Sequence, residues 1–576
     1  MPEVWISLIA GLLVGGLLAC LLYGAIHVRL GNRLFLALGV GLIVFVYLWN
    51  PNARVYSYHG FMHASFVYQI LAGNVPPNCP LLAGEPLLYP WAFHVLAGGI
   101  AWAFRVTPFT AFALINVVSL ACTLVLAFKI TRLLFADRIT GILGAALSVF
   151  GMTPFCRGPL ADLTQNLFPV IRIANRGIPP VVKFMNVNAN SLGIMFFALF
   201  LYSALSVFSP RSHRTYAYGG LAISVLGTGI LYPFILPVMI LTSAVVCFLM
   251  YLREGRSISR TLVGVVISIG SAVLVSLPYL FSMTTSENAA RLTTLTLSPA
   301  RFFAKGAGIL FITSVILALL YARRRTLLAL PRANLNSVLI VAAAVATPAV
   351  MYVILSPPSR NEYKFLLLCC FSLGILSGAV MESFLRNRGV GCVLLLACLF
   401  LPLSSILVER VGGDWPVSDA YREDGRHLHA ADPDENALYT WIDRHTDSSA
   451  VFVDTKLTIP IFARRQLYVG LDDPSRGDTG AAIHNGWGSA TSLLLRVMSY
   501  PAEMVELRQR IAAALCSGDR SPISSKAFAE LARGAGGADV YVVARNRKAT
   551  DSLSSDDRFR EVFQTQAVGL YHALKK

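Results

Sequence analysis

The chain has 576 residues, 55% of them hydrophobic and only 14% charged, with a mean hydropathy of +0.62. That balance excludes an ordinary soluble enzyme and points to a polytopic membrane protein, because long apolar stretches with few charges read as spans. The net charge of +17 would suggest nucleic acid in a soluble protein; here it is assigned to cytoplasmic loops and to anionic lipid or substrate, with no nucleic-acid partner.

About twelve spans near the usual length of ~20 residues are predicted: 4–27, 34–50, 108–131, 138–155, 190–209, 217–232, 234–251, 261–282, 307–322, 335–356, 364–383 and 389–408. The first is read as a retained span, since no convincing cleavage site follows it. Basic residues collect in alternate short loops: Arg29 and Arg33, Lys129, Arg132 and Arg138, Arg211 and Arg214, Arg253, Arg256 and Arg260, Arg323 to Arg325 with Arg332, then Arg386 and Arg388. These loops are therefore cytoplasmic, and both termini lie outside. Residues 89–104, YPWAFHVLAGGIAWAF, are short for a span, and counting them as one would reverse the later loops. They are placed as a re-entrant or interfacial helix on the outer face, with Trp91 and Trp102 as anchors, the alternative being a thirteenth span. Most of the ten Cys lie inside apolar runs, and no CxxC or Cys/His metal spacing occurs.

Four outer segments follow: 51–107, 156–189, 283–306 and 357–364. In the first, His59 and His63 share one face of a helix. A Pro/Gly run follows, with Gly73, Pro76, Pro77, Pro80, Gly84 and Pro86 around Glu85. Such a run forbids regular interior structure, and irregular titratable backbone near a membrane is tolerated only against water or protein. The histidine pair is read as base and orienter, or as two histidines bonded to loop carbonyls. A divalent metal is compatible with it, although no third ligand is evident from spacing and no cofactor is assigned. Glu85 is read as a base or as the partner of a nearby Arg. Asp162 is read as a site carboxylate or as a helix cap. Cys79 and Cys156 either bridge the first two outer loops or remain free thiols.

From about residue 410 the chain turns soluble in character. Residues 1–409 form a transmembrane domain and 410–576 an extracytoplasmic α/β domain in this reading. Helices are expected at 432–445, 502–516 and 523–533, and strands at 450–454, 464–470, 539–544 and in the terminal VGLYHAL, in a small, mainly parallel sheet. No GxGxxG or Walker sequence and no internal repeat occur.

The layout resembles the GT-C class of integral-membrane glycosyltransferases, and looks closest to bacterial relatives whose first outer loop starts Gly-Asp-x-x-x-His. The residues that carry the resemblance are His63, Gly73, Pro76, Pro77, Pro80, Gly84, Tyr89 and Pro90. It covers the whole layout and is specific only over 56–90. It implies a mainly α membrane bundle with a C-terminal soluble α/β domain, and transfer of a hexosyl or pentosyl group from a polyprenyl-phosphate sugar donor. The acceptor, a glycan, lipid or protein, lies on the outer face of what would be a bacterial inner membrane. The resemblance places a base among His59, His63, Glu85 and Asp162, and donor-phosphate contacts among Arg172, Arg176, Lys183, Arg360 and Lys364, whose cationic heads match phosphate oxygens or, alternatively, membrane headgroups. One departure stands out: His59 occupies the position where the class carries its first Asp. The other readings are a non-catalytic or transport protein that binds lipid-linked glycans or anionic lipids.

Overall fold

The computed structural model describes residues 58–150, 184, 187–209, 214–283, 294–295, 332–356, 363–385, 421–424, 427–430, 432–471, 495, 498, 500–518 and 524–574. Ten helices come first among them: α1 (Tyr58–Leu71), α2 (Ala92–Phe104), α3 (Pro108–Phe135), α4 (Arg138–Phe150), α5 (Asn190–Val207), α6 (Arg214–Leu231), α7 (Leu236–Glu254), α8 (Ser259–Ser282), α9 (Arg332–Ile354) and α10 (Tyr363–Leu385). Two short strands, β1 (Thr294–Leu295) and β2 (Leu355–Ser356), pair antiparallel. The tail contains β3 (Tyr421–Asp424), β4 (His427–Ala430), α11 (Pro433–His445), β5 (Val451–Val453), α12 (Ile459–Phe462), β6 (Gln466–Leu467), α13 (Ala502–Ser517), α14 (Ser525–Gly534), β7 (Val540–Ala544), α15 (Arg547–Ser554), β8 (Phe559–Gln564) and β9 (Gly569–Ala573).

Helices α3 to α10 fall on eight of the twelve predicted spans. Those at 4–27, 34–50, 307–322 and 389–408 lie outside the described residues. Four described stretches are long and apolar enough to cross a membrane: Pro108–Phe135, Asn190–Val207, Pro233–Ser282 and Asn336–Ile354. The third is two predicted spans, α7 and α8, joined by a 3-10 turn at Gly255–Ile258, where Gly255 takes φ +62°. Helix α2, at 13 residues, is about 20 Å long, short of a ~30 Å hydrocarbon core.

The chain separates into two compact units. One comprises residues 1–53, 114–282 and 289–415; the other comprises 54–113, 283–288 and 416–576. In the first, α4 and α10 meet along small residues. A Cβ on Gly374 would stand 2.3 Å from Ser148 Cα, and one on Gly378 would stand 2.7 Å from Gly144 Cα. The Gly374–Gly378 spacing is the small-xxx-small pattern that lets membrane helices approach backbone to backbone. Polar side chains in this unit find local partners: Thr123, Thr131 and Ser243 donate to carbonyls four residues back, and Ser191 on α5 bonds Asn116 on α3 at 2.5 Å.

The second unit holds a five-stranded sheet in the order β6-β5-β7-β9-β8. Strand β5 runs parallel to β6 and β7, while β9 runs antiparallel to β7 and β8. The sheet is therefore mixed, which corrects the mainly parallel expectation. The cause is β8, a strand not anticipated. It joins β9 through the short turn at Thr565–Val568, and a link that short only permits an antiparallel pair. Helix α11 starts as its sequence dictates: the Asp432 side chain accepts from the backbone N–H groups of Asp434 and Glu435.

Candidate functional site

The Pro/Gly run folds as a tight loop after α1. Gly73, at φ +94°, ends the helix, and the peptide between Val75 and Pro76 is cis. Asn78 and Pro86 then form an antiparallel bridge, closed by Cys79 N–H to Glu85 O at 2.9 Å and Leu87 N–H to Pro77 O at 3.2 Å.

This loop is sewn to the edge of the tail sheet. Leu467 of β6 donates to Pro80 O at 2.8 Å and accepts from Ala83 N–H at 2.9 Å; Gly470 N–H reaches Leu81 O at 2.8 Å. Side chains add further ties. Gln466 Nε2 donates to Cys79 O at 3.3 Å, Tyr500 Oη to Pro86 O at 2.6 Å, and Arg508 Nη1 to Ala83 O at 2.7 Å. Strand β6 would otherwise be an open edge, and the loop covers it. Gly84 is required twice over: its φ is +77°, and a Cβ there would lie 2.8 Å from Gly534 O. The motif glycines and prolines thus shape a docking element.

Glu85 meets Arg508, Oε1 to Nη2 at 3.4 Å. Arg508 is buried and lies over the Tyr468 ring at 5.3 Å. Burial pushes the Tyr500 hydroxyl well above its ordinary range, so it remains a donor. Burial likewise raises the Cys79 thiol to about 11; Cys79 is a free thiol, and Cys156 lies outside the described residues.

His63 is buried on α1, with its Nδ1 2.7 Å from Nε2 of His94 on α2. The rings are nearly parallel and meet edge to edge, with centroids 5.0 Å apart, ringed by Phe66, Tyr89 and Phe112. With both rings neutral, one imidazole donates and the other accepts, so the two tautomers are linked. His59 lies on the first turn of α1, and its side chain is outside the described residues.

In the other unit, Lys364 opens α10 with its ammonium 5.4 Å from the Tyr232 ring centre and 5.1 Å from that of Phe234. Tyr232 in turn bonds Asn190 at the start of α5. Asp162, Arg172, Arg176, Lys183 and Arg360 lie outside the described residues. Among the described residues, no three His, Cys, Asp or Glu side chains gather as a metal cage.

A further charged group closes the carboxyl ends of β5 and β7. Arg545 clasps Asp454 with Nε and Nη2 at 2.6 and 2.7 Å and also bonds Glu435. Lys456 reaches Glu435 at 2.7 Å. Burial by itself would raise the Glu435 carboxyl; Arg545, Lys456 and Tyr439 outweigh it and hold it below its ordinary value. Asp454 is fully buried, and its guanidinium partner makes that burial tolerable.

A multi-span helical bundle and a small α/β domain, with an irregular loop ahead of the second described helix, form a fold like that of solved GT-C membrane glycosyltransferases. The chain shares it over 94% of its length with the crystal structure of ArnT from Cupriavidus metallidurans bound to undecaprenyl phosphate, at 12% identity, a TM-score of 0.51 and 98% coverage of that chain. The apo form of the same protein superposes with a TM-score of 0.52 at 12% identity, covering 94% of this chain and 97% of that one. The mycobacterial arabinofuranosyltransferase AftD matches with a TM-score of 0.51 and 14% identity over 94% of this chain, which spans only 42% of AftD. No family model and no curated protein sequence matches. With its apolar helices, this fold makes the chain an integral membrane protein.

Proposed function

We propose that the protein transfers a sugar from a polyprenyl-phosphate donor to an acceptor on the outer face of the membrane. The observation that carries this reading is the near end-to-end likeness to a structure containing undecaprenyl phosphate. Lys364 is the described cation assigned to the donor phosphate, at a helix start where backbone N–H groups also favour an anion. Glu85 is turned to Arg508 and the loop's own backbone, and His63 to His94. The acceptor base therefore falls to His59 or Asp162, and an imidazole suits that task near neutral pH. In this reading the tail domain lies outside the cell and fixes the first loop for reaction.

Purified full-length protein in nanodiscs, given undecaprenyl phosphate and examined by native mass spectrometry, is expected to retain the lipid. Lys364→Met should weaken retention roughly tenfold, the loss of one charge-assisted contact. His59→Ala should leave retention intact while abolishing sugar release from a mixed polyprenyl-phosphate sugar extract. Wild-type protein that neither retains the lipid nor consumes any such donor would sink the proposal.

A further inference from the structure

Away from the loop–sheet seam, the second unit contains a cleft of about 210 Å³. Tyr68, Leu71 and Ala72 from the end of α1, with Trp102 from the last turn of α2, make its apolar wall; Asp443 of α11 and Arg464 make the polar one. Arg465 also borders it; its guanidinium is bonded to backbone, with Nη2 on Thr446 O at 2.8 Å and Nη1 on Ala463 O at 3.1 Å, and Nη1 also stands 3.7 Å from Asp443 Oδ1. Arg464 differs. Its Nη2 stands 3.8 Å from Asp443 Oδ2, and the two side chains are 28% and 40% exposed. It also holds a left-handed backbone at φ +56°, a conformation costly for a long side chain and one that collects at binding sites.

The apolar wall lies close in sequence to a helix long and apolar enough to span a membrane. Trp102 and Phe104 are 64% and 68% exposed, and the span α3 begins at Pro108, six residues beyond Trp102. An exposed indole next to the end of a span is the chemistry of the membrane–water interface. A cleft with such a wall, offering the exposed Arg464 guanidinium, one carboxylate and an apolar floor, matches a molecule with one phosphate, one donor-bearing cation and a greasy stem.

We propose that this cleft binds the headgroup of a zwitterionic phospholipid carrying a primary amine. The phosphodiester faces Arg464, the ammonium donates to Asp443, and the glycerol with the first methylenes lies on Trp102, Leu71 and Ala72. A quaternary ammonium has no N–H for the Asp443 carboxylate, so the cleft discriminates between amine and choline headgroups. The inference rests on the sequence reading of α2 as an interfacial helix and not on glycosyl transfer.

The test is native mass spectrometry of the full-length protein released from mixed micelles holding equal amounts of phosphatidylethanolamine, phosphatidylcholine and phosphatidylglycerol with matched acyl chains. Wild type is expected to keep the ethanolamine lipid roughly tenfold over the choline lipid. Asp443→Asn should erase that preference, Asp443→Glu should keep most of it, and Arg464→Gln should lower retention of both zwitterionic lipids. A thermal melt of each variant establishes that it is folded. Equal retention of the amine and choline lipids by wild type, a preference unchanged in folded Asp443→Asn, or a dominant phosphatidylglycerol would each overturn the proposal.

Discussion

The α4–α10 pair and the loop–sheet seam are both close contacts between distant parts of the chain, and they are made by opposite means. Helices α4 and α10 approach because nothing stands between their backbones: Gly144, Ser148, Gly374 and Gly378 present almost no side chain. The seam is made of partners: backbone strand bonds to Leu467, the Arg508 fork and the Tyr500 hydroxyl. Lipid offers no hydrophobic drive between apolar helices, so contact area and close packing must hold them. In the water-facing unit a buried carbonyl or carboxylate must find a donor or be costly. One region fails when atoms are added, the other when they are taken away.

Arg545→Met should do the greatest harm. It strands buried Asp454 and Glu435, and a loss of about 4 kcal/mol is expected in chemical unfolding of the full chain. Gly378→Leu tests the opposite rule: its Cβ would meet Gly144 N at 2.6 Å, backbone that cannot swing aside. About 3 kcal/mol of destabilisation is expected from overpacking, read as a lower melting temperature in detergent, with little change in hydrogen exchange across the tail sheet. Arg508→Met should cost about 2 kcal/mol by orphaning Ala83 O and Glu85, and should speed exchange at the Ala83 and Leu467 amides together. If exchange quickens at only one of them, the seam is not a cooperative unit. Tyr500→Phe, losing the bond to Pro86 O and the longer one from Leu88 N–H, should cost about 1 kcal/mol in the same assay.

The smallest effect concerns pH. Glu435 is held below its ordinary carboxyl value of about 4.5, so its contribution is present above that pH and is lost as pH falls through the lower folded value. Acid unfolding followed by circular dichroism should therefore be flatter below about pH 4.5 in Glu435→Gln than in wild type. An identical acid limb in both proteins would show that Glu435 is not coupled to folding.

The bundle was legible because each span needs a long apolar run and arginines mark its turns, as Arg253, Arg256 and Arg260 do around the Gly255 turn. Helix α11 was legible from Asp432, whose capping geometry is local. Strand β8 was not, since in FREVFQ both Arg560 and Glu561 are exposed although they fall on opposite faces, and the strand lies at the sheet edge, where an apolar pattern is not demanded. The irregular backbone of the first loop was legible from its Pro/Gly run, yet its partners were hidden. His94 lies 31 residues from His63, and Arg508 lies 425 residues from Ala83; no local spacing encodes either pairing. The fold class was carried by residues that constrain backbone, whereas the side-chain partners of His63 and Glu85 depended on tertiary proximity.

The seam also sets an order of events at the ribosome. Its first half, Pro80 to Pro86, leaves the exit tunnel hundreds of residues before Leu467, Tyr500 and Arg508 exist to receive it. Chains emerge at about 5–20 residues per second, so the loop waits on the order of tens of seconds with its carbonyls open. A chain cut short before residue 508 would have many of its membrane helices and no anchored loop. Such a truncated product would occupy the membrane without the assembled element, and a quality-control protease would find that loop accessible for as long as the tail is missing.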